Sequence, residues 1–345
     1  MTLTTPPPSP ASAVSASIAR FPFPFPKDQY RYSTNVEPAG ASNSTVAGEW
    51  GDSQVVIDEH FDHEMAERAR VLAADPSRIQ VLPHMVPAAW DAMFANMTEL
   101  ASAYPEWMTL ERVDGAAGGA VRWHWVNTRA GFDDEFVLGD ASTLPSEPLD
   151  YIGQQVQEDI VLLDQREGEL WGDAGLVTFA ADWSMGFDVG MTFLEIHGPV
   201  PRVHAESIIP RAQAFLMRLE PGQSYRRTNW TLTVDGKLDT ATETYTEWGK
   251  DRKSLAEGPL ADVGSRLFLR TEVQHLIRLP TSGCIMFLIR TYMLSFAEVA
   301  TIPEWSDRLY RVLGDLPDDM VDYKGLTRTR PPAMAWLTTH GGVTP

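Results

Sequence analysis

Apolar residues recur at helical spacing from about Ser53 to Ala74 ("SQVVIDEHFDHEMAERARVLAA"), and Asp75-Pro76 stops the pattern. The same spacing predicts helices over "PAAWDAMFANMTELASAYP", ending near Pro105, over residues 146–165 ("SEPLDYIGQQVQEDIVLLDQ") and over residues 205–219 ("AESIIPRAQAFLMRL"). In the last of these Pro210 either kinks the helix or moves its start, and "EPGQ" ends it. Alternation of period two predicts a hairpin of "AVRWHWVN" and "DEFVLG", in which His124 points opposite to Trp123 and Trp125. Three more strands follow at 225–234, 266–279 and 284–294, the last two joined by the tight turn "PTSG". "FPFPFP" at 21–26 cannot continue a helix and reads as an extended lead-in.

A hairpin, several helices and a three-stranded meander suit an α+β domain with one antiparallel sheet, helices over a single face and a cavity between the layers. Sensor domains of the PAS type have that order, which is an analogy of fold. The chain divides into a disordered tail (1–20), an N-terminal extended segment with helices (21–110), the central domain (111–300) and a C-terminal helix and tail packed on it (301–345).

Composition narrows the function. A formal net charge of −19, from 47 acidic and 28 basic residues, repels a phosphate backbone and argues against nucleic acid. That acidity serves solubility, or attracts a cationic substrate or a basic partner. One cysteine, Cys284, rules out an intrachain disulfide, a cysteine-held iron–sulfur cluster and a multi-thiolate zinc site. The opening "MTLTTPPPSPASAVSASIA" lacks the basic and apolar regions of a signal peptide, and no stretch approaches the ~20 apolar residues of a membrane helix, so a cytoplasmic location is expected. In that compartment the glycosylation-type triplets at Asn43, Asn96 and Asn229 are chance matches.

Two stretches carry candidate chemistry. "HFDHE" brings His60, His63 and Glu64 together but lacks the four-residue histidine spacing of a zinc-protease helix, so a solvated acidic face is the expectation. On the middle strand, period two puts Arg270, Glu272, Gln274, Leu276 and Arg278 on one face and Thr271, Val273, His275, Ile277 and Leu279 on the other. By itself the polar face should look at water; turned inward, its charges would be paired and would mark a polar site.

"LEIHGPVP", "RTNW", "LRTEVQHLIRLP" and "FLIRTY", in this order, resemble the haem-dependent oxidative N-demethylases, whose characterised members are similar to the α-subunit of bacterial dimethylamine monooxygenase. The likeness runs from about Phe21 to the region of Tyr323 and favours an inward polar face. It implies a PAS-like sheet enclosing a haem cavity, haem b as cofactor, and removal of a methyl group from a small secondary, dimethylamine-like amine with O2 and electrons. His197 of the "LEIHGPVP" segment is the implied axial iron ligand, with His204 its nearest competitor and Cys284 a weaker one. The flanking prolines stiffen its loop. Glu272 is the expected counter-charge for the ammonium, and Trp230 or Tyr292 is expected to add cation–π attraction. Arg227, Arg270, Arg278 and Arg290 are candidates for the haem propionates, with Asn229 and Gln274 beside them.

With no GxGxxG, Walker loop or cysteine cluster, electrons must come from outside the chain. The resemblance implies a reductase subunit with FMN and [2Fe-2S] that uses NADPH, and a tetrahydrofolate-binding subunit as a further partner. Two alternatives stay open: a haem-based gas or redox sensor, which should carry an output domain, and a haem-free small-molecule binding module.

Overall fold

The computed structural model describes residues 15–51, 53–113, 120–202 and 207–343. Two long helices, α1 (Phe61–Ala74) and α2 (Val86–Ala103), precede a three-stranded antiparallel sheet of β1 (Met108–Val113), β2 (Arg122–Asn127) and β3 (Phe132–Val137). The predicted hairpin is β2 with β3. Trp125 is its inward residue, wholly buried, while His124 stays near the surface with Nε2 2.7 Å from Asp133.

There follow α3 (Pro148–Gly153), β4 (Asp159–Arg166), β5 (Glu169–Leu176), α4 (Phe193–Ile196), α5 (Ile208–Leu216), β6 (Ser224–Val234) and α6 (Tyr245–Glu257). The chain closes with β7 (Leu267–Arg278), β8 (Ile285–Ser295), α7 (Pro303–Asp315), α8 (Asp318–Tyr323) and α9 (Arg330–His340). The main sheet runs β6-β7-β8-β4-β5 with every neighbour antiparallel, so the last long strand lies beside the first. Short strands extend it: Glu37–Pro38 beside β6, and Met191–Thr192 and Ile79–Val81 beside β5.

Four expectations are corrected. The helix read from Ser53 begins only at Phe61, because the preceding backbone is held extended: the amides of Val56, Ile57 and Asp58 donate to Glu158 (2.9 Å), Tyr104 (2.8 Å) and Gln157 (3.0 Å). The helix read over 146–165 stops at Gly153, and its second half is the strand β4. A continuous apolar run reads alike as a buried helix or a strand covered on both sides. Here it is the strand: Ile160 and Leu162 pack with α2 and α3, whereas Val161 and Leu163 pack with α4 and α5. Helices therefore cover both faces of the sheet rather than one. Finally, the C-terminal region is three helices instead of a helix and tail; Trp305, Leu309 and Trp336 close a core over Leu232, Leu267 and Leu294.

The expected divisions blur at both ends. Residues 1–14 lie outside those described, but Ala16–Ala19, capped by Ser15, makes a helical turn with Ile18 buried. The "FPFPFP" lead-in is extended and clamped on α7, with Phe23 stacked on Trp305 at 4.7 Å. Pro210 falls in the first turn of α5, where its missing amide costs little, so it moves the helix start.

The α2/α3 side of the sheet buries a charged network. Arg290 bridges Asp58 (2.6 Å) and Glu64 (2.8 Å), and Arg68 holds Asp159 (3.2 Å). Glu158 shares this pair of guanidiniums, but its Oε2 is buried without a partner among the described residues. Burial outweighs the pull of Arg290 and drives its carboxyl up to about 7. The folded chain thus keeps a proton there that the unfolded chain has already lost, and stability falls as pH rises toward 7, by about 1.4 kcal/mol per unit of displacement. In denaturant titrations at pH 5.5 and 8, Glu158→Gln should flatten that decline relative to wild type; an identical slope in both proteins would contradict this role.

Candidate functional site

A cavity of about 500 Å³ lies on the α4/α5 face of the main sheet. Register sets its floor: Arg227 stands opposite Gln274 and Asn229 opposite Glu272, with Ile289 and Phe287 beside Gln274 and Leu276 on the next strand. The polar face of β7 is thus turned inward, and Glu272 and Gln274 are both 5% exposed. Gly172 on β5 leaves room for the roof, because a Cβ there would stand 3.0 Å from the Ile196 side chain. Phe193, Ile196, Val200, Ile209 and Phe215 form an apolar wall. Residues 29–36 form a second, more polar wall, tied down by Tyr30 N–H to Asp315 (3.0 Å) and Asn35 to the Thr228 carbonyl (3.1 Å).

His197 lines this cavity directly after α4. A capping box of Thr192 and Glu195 starts that single turn and fixes where it ends. Nδ1 of His197 lies 2.8 Å from the Phe193 carbonyl oxygen, which can only accept, so Nδ1 carries the proton. Nε2 is left with a lone pair and no partner among the described residues. Burial depresses the imidazole to about 4, against the Phe193 bond and with help from the Arg227 charge, so the ring is neutral at physiological pH. A neutral imidazole, held through one nitrogen with the other bare, is the form in which histidine ligates a metal.

The family described as haem-dependent oxidative N-demethylase, alpha subunit-like, matches residues 47–334. The chain belongs to this family. Its activity is therefore of the haem-dependent oxidative N-demethylase kind, an oxidoreductase chemistry, and the family's description as an alpha subunit points to work with partner subunits. Among the described residues no helix is long and apolar enough to cross a membrane.

Six of the residues expected at the N-demethylase site line the cavity: His197, Arg227, Asn229, Trp230, Glu272 and Gln274. Glu272 is already engaged, since Oε1 accepts from Arg270 Nε (3.2 Å) and Oε2 from Gln274 (2.9 Å) and Asn229 (3.4 Å). Four others lie outside the lining. Arg270 is fully buried behind Glu272, donating to the carbonyls of Leu238 (2.7 Å) and Phe179 and to Thr291 (3.1 Å). Arg278 clasps the β7–β8 turn through the Gly283 carbonyl (2.5 Å) and binds Gln165 (2.7 Å). Arg290 belongs to the network on the opposite face, with its guanidinium over the Tyr292 ring at 4.8 Å. Alternation alone separates Arg290 and Tyr292 from Glu272: Thr291 is the β8 residue opposite Glu272, and its neighbours point the other way.

His204 lies outside the described residues. Cys284 is away from the cavity, with its thiol pushed up to about 11 by burial. In "HFDHE" both histidines face solvent, but Glu64 turns inward to Arg290, so that face is only partly acidic and solvated. His84, Asp164 and Asp173 converge elsewhere, yet Arg166 bonds both carboxylates and already supplies their positive charge.

Two cavity residues escaped the sequence reading. Asp188, the last residue of the one-turn helix Met185–Asp188, has no hydrogen bond or ion pair to its side chain among the described residues; burial, and the nearby charge of Glu243, push its carboxyl up to about 6. Lys324 follows α8 and puts Nζ 2.8 Å from the Trp230 carbonyl, 4.9 Å over the Trp230 ring. Neither sits in a motif or a periodic run, so only the tertiary fold reveals them.

Proposed function

We propose that the chain is a haem-dependent monooxygenase that N-demethylates a small, dimethylamine-like secondary amine, with His197 as axial ligand to haem b. The bare Nε2 of a neutral, tautomer-fixed imidazole in the cavity wall carries this reading. The residues present fit the group: about 500 Å³ is ordinary for a cofactor site, the walls are largely apolar, and Arg227 offers a guanidinium to a carboxylate. An antiparallel sheet whose last strand lies beside its first supports a PAS-like fold.

When bound, haem would supply activation of O2 and oxidation of a methyl C–H bond, which ends in formaldehyde and the primary amine. The Phe193 carbonyl keeps the Nδ1 proton in place and so keeps Nε2 available as a ligand atom. Ile196, Phe193 and Phe215 exclude water from the reacting end. Asp188 takes the part expected of Glu272: above pH 6 it is an unpaired carboxylate facing the cavity, able to balance an ammonium. Glu272, already held by Arg270, Gln274 and Asn229, orders the polar wall and leaves Trp230 as the aromatic neighbour. Electrons would come from a reductase subunit with FMN and [2Fe-2S] that uses NADPH, formaldehyde would pass to a tetrahydrofolate-binding subunit, and a cytoplasmic location goes with this reading.

Two measurements test it. His197→Ala should keep its circular dichroism but lose haem and its Soret band; a normal Soret band there, with His204→Ala losing it, would move the ligand. Asp188→Asn should keep haem while its affinity for dimethylamine, followed by the Soret shift, drops about tenfold or more, as removal of one buried counter-charge implies. Wild-type affinity should itself weaken below about pH 6, where Asp188 takes up its proton. An unchanged dissociation constant in the variant would remove Asp188 from the site.

A further inference from the structure

We infer that Arg227 and Lys324 form a paired carboxylate anchor in the cavity wall. At this end three cations, Arg227, Arg270 and Lys324, all interact with the carboxylate of Glu272. That carboxylate is committed to Arg270 and to two side-chain amides. Neither Arg227 nor Lys324 has a carboxylate oxygen within 4.0 Å among the described residues, and each is held by neutral groups only. Arg227 Nε donates to the Thr34 carbonyl (3.0 Å), and its two terminal nitrogens make no hydrogen bond among the described residues. Lys324 Nζ donates to the Trp230 carbonyl (2.8 Å) and approaches Asn229 Oδ1 at 3.4 Å.

Such a grouping is unfavourable as it stands. Removing a cation from water carries a large penalty unless an opposite charge faces it, and two like charges near each other add to it. Lys324 registers the strain, lowered to about 8 first by burial and then by the Arg227 charge, with Glu272 pulling the other way. Loss of either cation would relieve that strain, so keeping both makes sense when the ligand brings negative charge. A guanidinium fork suits the two oxygens of a carboxylate, and an ammonium adds a compact point charge beside it. The pair also draws together three separate parts of the chain: residue 34 of the N-terminal wall, strand β6 and the end of α8.

Two sources could supply the carboxylate. Under the haem reading, on which this arm rests, it is a carboxylate of the cofactor itself; the other source is a carboxylate on the amine substrate. Metal-free protoporphyrin IX and its dimethyl ester, titrated into haem-free full-length protein by tryptophan quenching, read the first source without involving His197 and iron. N-methylglycine and dimethylamine, compared by thermal shift on the same protein, read the second. One of the two carboxylate-bearing probes should bind about tenfold or more tighter than its counterpart; Lys324→Gln should erase that margin and Lys324→Arg should keep it. A porphyrin margin assigns the anchor to the cofactor, an N-methylglycine margin to the substrate. The inference is overturned if neither probe is preferred, or if the margin survives in either Lys324→Gln or Arg227→Gln. Separately, wild-type protein that shows no Soret band with haem would sink the haem reading and leave the N-methylglycine comparison to judge the anchor.

Discussion

The hydrogen bond from Nδ1 of His197 to the Phe193 carbonyl is the interaction on which the functional account turns. It spans four residues of one short helix, and the capping box of Thr192 and Glu195 places the carbonyl by fixing where that helix begins. The carbonyl cannot donate, so the proton stays on Nδ1 and the lone pair on Nε2. Burial then prevents the ring from taking a second proton. A surface histidine with the same neighbours would be half charged near pH 6.5 and a poorer ligand.

The second constraint is a sheet covered on both sides. Each strand must place charge on one face or the other, and this protein handles the two faces differently. On the α2/α3 face Arg68 and Arg290 are bridged by carboxylates, which makes a framework of fixed ions. On the cavity face Glu272 is satisfied from within, while Arg227, Lys324 and Asp188 have no ionic partner among the described residues. Buried polar groups normally find partners, so unpaired charges gathered around one cavity mark the face that meets ligands.

Much of this was legible in the sequence. The strands β6, β7 and β8 and their connecting turn were readable because alternation and "PTSG" agree, and alternation correctly grouped Glu272 with Gln274. What alternation could not give was which arginines reach the cavity: Arg270 shares the inward face but is consumed by backbone carbonyls, and Arg290 is one residue out of phase. An apolar run has no period, so β4 reads equally as a helix, and the two glycines and acidic residues of β5 hide its alternation. Lys324 follows one short helical turn and Asp188 ends another, far apart in sequence, and only the packing of α8 and of the 183–189 segment on the sheet brings them to one cavity.

The central claim is that neutral His197 binds iron through Nε2. Resonance Raman spectroscopy of the reduced, haem-loaded protein reads that bond directly, by a low-frequency iron–histidine stretch that moves when the iron isotope is changed. The account predicts this band at neutral pH, with the same frequency down to about pH 5.5, because the imidazole is already neutral there. Absence of an isotope-sensitive iron–histidine band in protein that carries haem would contradict it.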